Sequence, residues 1–69
     1  MDMDLTYEEI DILRVYISQS QTATIHNLIV AASYFEESPQ SILFSMLLHK
    51  IRVMDANEFN KLKSFIFEK

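Results

Sequence analysis

The sequence predicts an all-α fold: a small bundle of four short helices, or three if the first connection is less broken than its composition indicates. Three observations carry that prediction. Two helix starts are written as capping boxes, a third is written as Ser-Pro, and apolar residues between them recur at helical spacing. No run alternates apolar and polar residues between turn signals, so no strand competes with the helices.

The first helix opens at "LTYEEI". Thr6 stands at the cap with Glu9 three residues on, each side chain placed to satisfy a backbone N–H that a helix start leaves unpaired. Leu5 and Ile10 occupy the staple positions on either side. Ile10, Leu13 and Ile17 then form a stripe that Ile12 and Tyr16 widen, while Val15 lies off it, giving a helix over 7–18. Residues 1–5 read as a flexible acidic terminus. "SQSQT" is polar and unperiodic and reads as a connection, after which Thr22 or Thr24 caps a second helix over 23–36. Its main stripe is Ile25, Leu28, Ile29, Ala32 and Phe35, with Ala31 alongside. Val30 and Tyr34 make a narrower second one.

"ESPQS" holds the only proline. Serine before proline places Ser38 at the cap and Pro39 in the first turn, where its missing N–H is no loss, so a third helix runs over 39–54. "MDANEF" then repeats the opening device, with Asp55 and Glu58 as the box and Met54 and Phe59 as the staple of a helix over 56–68. Phe59, Leu62, Phe65 and Ile66 share one face of it.

The third helix decides the architecture. At 100° per residue its polar arc, Ser41, Ser45, His49 and Arg52, spans only about 80°, and nearly all the rest of the helix is apolar. A helix apolar nearly all round is a buried one, yet a chain of 69 residues has a thin core of its own. Disulfides are excluded because there is no cysteine. The expectation is therefore a homodimer, with helices two and three supplying the seam through Leu28, Ala31, Phe35, Leu43, Phe44, Leu47, Leu48 and Ile51.

The same sequence excludes several function classes. With no glycine there is neither a phosphate-cradling loop nor a nucleophile elbow. His26 and His49 are 23 residues apart (49 − 26) and have no neighbouring motif of metal ligands. The carboxylates Asp2, Asp4, Glu8, Glu9 and Asp11 cluster at one end, whereas catalytic pairs must converge from opposing elements. No catalytic residue, cofactor, metal site or small-molecule substrate is expected, and the chain is read as not an enzyme. The stretch "MDMDL" lacks a basic leader, and no apolar run is long enough for a membrane span, so a cytoplasmic location is expected.

Charge is unevenly placed. Residues 1–37 carry seven acids and one base, −6, and residues 38–69 carry three acids and five bases, +2, for the net −4. An acidic chain disfavours sequence-independent nucleic-acid binding, which neutralises phosphates. Glu36 and Glu37 would repel the DNA backbone beside any recognition helix starting at Ser38.

The order "ILRVYI", a polar break, an apolar helix, "SILFSMLLHKI" and "FNKLKSFIFE" resembles, in hydrophobic spacing, the small helical connector proteins of enterobacterial two-component signalling. No specific motif matches, and no residue role is carried over. The function expected is that of a small acidic regulatory or adaptor protein, acting as a homodimer by docking on an unidentified protein. Its candidate surface is Tyr7, Glu8, Asp11, Tyr16 and Tyr34. The alternatives are a transcription-associated dimer contacting DNA, with Lys61, Lys63 and Lys69 brought together, and a dedicated inhibitor of a partner enzyme.

Overall fold

The computed structural model describes residues 5–67 and is built of four helices: α1 Tyr7–Tyr16, α2 Gln21–Tyr34, α3 Gln40–Val53 and α4 Ala56–Phe67. Both predicted capping boxes form. The Thr6 hydroxyl accepts from the Glu9 N–H at 3.2 Å and the Glu9 carboxylate accepts from the Thr6 N–H at 2.9 Å. Asp55 and Glu58 exchange the same pair of bonds at 2.8 and 3.0 Å. The Ser38 hydroxyl accepts from the Gln40 N–H at 3.1 Å, but the cap position falls on Pro39, which makes no side-chain capping bond, so α3 starts at Gln40, one residue later than expected. Pro39 already has helical dihedrals, φ −57° and ψ −23°, as its ring favours.

The second helix departs from expectation at its start. Its cap is Ser20, whose hydroxyl accepts from the Ala23 N–H at 3.0 Å, so Gln21 and Thr22 are helical and neither Thr22 nor Thr24 is the cap. The reason lies in the connection. Thr24 is fully buried, and its hydroxyl accepts from the Ser18 N–H at 2.9 Å while donating to the Ser20 carbonyl at 2.8 Å. That hydroxyl holds the turn shut from inside, which also ends α1 at Tyr16, two residues before the sequence reading (18 − 16). At its other end α2 stops at Tyr34, and overlapping turns follow in which Phe35 donates to Ala32 and Ser38 to Phe35.

With no glycine in the chain and no residue at positive φ among those described, the usual left-handed helix ends are absent. Side chains from other elements satisfy end carbonyls instead. Asn27 donates to the Tyr16 carbonyl at 3.0 Å. Gln21 forks to the Ile51 and Met54 carbonyls at 2.8 and 2.9 Å, and Lys63 reaches the Gln19 carbonyl at 2.8 Å. Each bond ties the end of one element to another distant in sequence.

The core takes Leu13 from α1, Leu28 and Ala31 from α2, Phe44, Leu47 and Ile51 from α3, and Phe59, Leu62 and Ile66 from α4. Phe44 stacks on Phe35 with ring centroids 5.2 Å apart and meets Tyr16 edge-on at 5.9 Å, both favoured aromatic geometries. Phe35–Phe44 at one end and Gln21–Ile51 at the other make α2 and α3 an antiparallel pair. Glu9–Lys50 and Tyr16–Phe44 set α1 antiparallel to α3 in the same way. On α2 the small Ala31 turns into the core, whereas Ile29, expected on the main stripe, is 43% exposed. A small residue facing inward lets α3 approach closely.

Candidate docking surfaces

The outer surface of α1 is assembled by what holds its back. Leu13 and Glu9 are fully buried, and Glu9 is fixed twice: by the Thr6 N–H and by the Lys50 ammonium of α3 at 2.8 Å. Its second carboxylate oxygen is buried with no hydrogen-bond partner. With the back anchored, Tyr7, Glu8, Asp11 and Val15 face solvent, Tyr7 at 89% and Val15 at 71% exposure. Tyr7, Asp11 and Val15 are four residues apart, so they follow one side of the helix, with Glu8 beside Asp11. Exposed Arg14 lies on the same side, so the face carries two acids, Glu8 and Asp11, and one base, with an aromatic residue at one end and an aliphatic one at the other.

The tyrosines expected as anchors separate. Tyr7 lies on this surface and Tyr34 is 80% exposed at the end of α2, next to exposed Val30. Tyr16 is half-buried and belongs to the aromatic contact with Phe44. Val15, off the apolar stripe in the sequence, lies on the exposed face.

The eight residues expected at a dimer seam are placed mostly inside the chain. Leu28, Ala31, Phe44, Leu47 and Ile51 are core, Phe35 and Leu48 pack partly buried against it, and Leu43 is half-buried. The third helix instead turns other apolar residues outward. Ile42 is 65% exposed, Met46 47% and Val53 66%, and exposed His49 completes the row. These four are spaced 4, 3 and 4 residues apart (42, 46, 49, 53). They fall within about 60° of one another and roughly 160° from the centre of the buried row Phe44–Leu47–Ile51. The helix is thus apolar on two opposite sides, and the single chain covers one.

His26 is also exposed, and no group of three or more His, Cys, Asp or Glu side chains among the described residues could hold a metal ion. Of the lysines weighed for DNA contact, Lys61 is exposed and Lys63 is engaged with the Gln19 carbonyl. Lys69, like Asp2 and Asp4, lies outside the described residues. No helix among the described residues is long and apolar enough to cross a membrane.

Neither the curated proteins nor the solved structures contain a match to the chain. A family model described as "Putative transposon-transfer assisting protein" (TTRAP) matches residues 5–66. That span runs from the residue before the first cap to the last core residue of α4. The likeness in hydrophobic spacing to connector proteins therefore gives no family assignment. The chain belongs to the transposon-transfer assisting family.

Proposed function

We propose that this chain is a non-enzymatic accessory protein in transposon transfer. It acts by docking the outer face of α1 on a basic surface of another protein. The observation that carries this reading is the α1 face itself: Tyr7 and Val15 exposed beside Glu8 and Asp11, whose two charges outnumber that of Arg14 on the same side, on a helix anchored from behind by Glu9 and Leu13. An aromatic anchor with a charged rim suits recognition of a complementary partner surface. Proteins that process DNA present basic surfaces to it. The same acidic face would be repelled by DNA phosphates, so the partner is the protein and not the nucleic acid. The family description supports the process, and the charge of the face supports the kind of client. A client that is an enzyme held in check falls within the same reading.

The test pairs cells with purified components. In cells whose transposon lacks this gene, the wild-type chain is expected to restore transfer. The double variant Glu8→Lys with Asp11→Lys is expected to fail while folding normally. Binding to the purified DNA-processing proteins of the transposon should weaken as salt rises. Full transfer with the double variant overturns the reading. So does retention of duplex DNA by the wild-type chain at low salt.

A further inference from the structure

We infer that the outer row of α3 is the seam of a two-fold homodimer in which α3 packs antiparallel against α3 of a second copy. Its register sets Ile42 against Val53 and Met46 against His49. The inference goes beyond the docking role of α1 and does not depend on it, since the two faces belong to different helices.

Spacing is the first support. Positions 42, 46, 49 and 53 alternate steps of 4 and 3, which is the seam of helices packed at a shallow angle. The row spans about 16 Å, or three turns, and its two ends are both β-branched aliphatic residues, Ile42 and Val53. Reversed on itself, the row therefore meets a near-copy: aliphatic against aliphatic at both ends, and the flexible Met46 against the His49 ring in the middle. A thioether beside an aromatic ring is a favourable contact.

Charge selects the second copy and its direction. Exposed Arg52 sits in the last turn of α3, whereas exposed Glu36 and Glu37 lie in the turn that leads into it. Antiparallel packing carries Arg52 toward the acidic turn of the other copy, twice per dimer, and opposes the helix dipoles favourably. Parallel packing would set Arg52 against Arg52 and His49 against His49. The face is thus complementary to itself in one orientation only. Lys50 flanks the row on its other side and is engaged with Glu9.

Sedimentation and light scattering at micromolar to millimolar concentration test the inference. The wild-type chain, 8.1 kDa as a monomer, is expected at twice that mass. Ile42→Glu and Met46→Lys, both at exposed positions, should give the monomer mass with unchanged helical circular dichroism. Val15→Glu on α1 should leave the dimer intact. Arg52→Glu should weaken association by roughly tenfold, the scale of two rim ion pairs, and adding Glu37→Arg should restore it. A monomer at all concentrations overturns the inference, as does a dimer indifferent to Ile42→Glu. An Arg52→Glu defect that Glu37→Arg does not repair overturns the antiparallel register. None of these outcomes bears on transfer by the α1 variants, so the two readings fail separately.

Discussion

The pair Glu9–Lys50 joins residues 41 apart in sequence at 2.8 Å, and the two partners are buried to different degrees. The Glu9 side chain is 0% exposed and that of Lys50 is 25% exposed. The asymmetry predicts which deletion hurts more. Glu9→Gln keeps a side-chain oxygen for the Thr6 N–H but removes the charge, and the partly exposed ammonium is not stranded, since it has a further interaction of its own and reaches water. Its loss should sit near the lower end for a charged hydrogen bond, about 2 kcal/mol. At roughly 4–8 °C per kcal/mol for a domain of this size, that lowers the melting temperature by about 10 °C. Lys50→Met leaves a fully buried carboxylate whose second oxygen already has no partner, so it should cost more, about 3 kcal/mol. The double variant should be no worse than Lys50→Met alone, because the stranded charge is gone. Urea and thermal unfolding followed by circular dichroism measure all three, and unfolding of the proposed dimer is separated by repeating them at several concentrations. A Lys50→Met variant more stable than Glu9→Gln would refute the reasoning, as would melting of both within about 2 °C of wild type.

Two further outcomes follow from the caps. Gln21→Ala removes two hydrogen bonds to the end of α3 and should destabilise by about 1–2 kcal/mol. Gln21→Glu, which sets an acceptor against two carbonyls, should be worse, and equal melting of Gln21→Ala and wild type would show that the fork contributes nothing. Ser20→Ala should cost about 1 kcal/mol as loss of a cap, whereas Thr22→Ala on the exposed side of α2 should be neutral in the same denaturant titration.

What could be read from the sequence follows the range of each interaction. Thr6–Glu9, Asp55–Glu58 and Ser38–Pro39 act within three residues, so their chemistry is complete in the local sequence and their helix starts were legible. The start of α2 was not. "SQSQTAT" offers several hydroxyls for one cap, and the choice of Ser20 depends on Thr24 being needed inside. The cross-chain locks, Glu9–Lys50, Gln21–Ile51, Asn27–Tyr16 and Lys63–Gln19, are separated by 11 to 44 residues and leave no periodic trace. The exposure of Tyr7, Glu8 and Asp11 was legible because the apolar stripe residues Ile10, Ile12, Leu13, Tyr16 and Ile17 all fall on the opposite side. On α3 an excess of apolar surface was legible but its direction was not. When most of the circumference is apolar, periodicity favours no face, and only the neighbours decide that Phe44, Leu47 and Ile51 turn inward and Ile42, Met46 and Val53 outward.

That outward choice has an energetic meaning within the monomer. A valine or isoleucine at an exposed helix position gains little from burial and carries a helix propensity a few tenths of a kcal/mol poorer than lysine or glutamate. Ile42 and Val53 on α3, and Val15 on α1, are all β-branched and more than 60% exposed, so folding of the single chain would be better served by charged residues at each. The core does not need them, since α3 already seats Phe44, Leu47 and Ile51, and the helix ends are secured by Gln21, Asn27 and the capping residues instead of by more apolar area. A side chain that the folded monomer has no use for is accounted for by what lies beyond it. For α3 its reversed-row spacing and the placement of Arg52 and Glu37 favour the proposed second copy, and for α1 the excess of Glu8 and Asp11 over Arg14 around Val15 favours the proposed basic client.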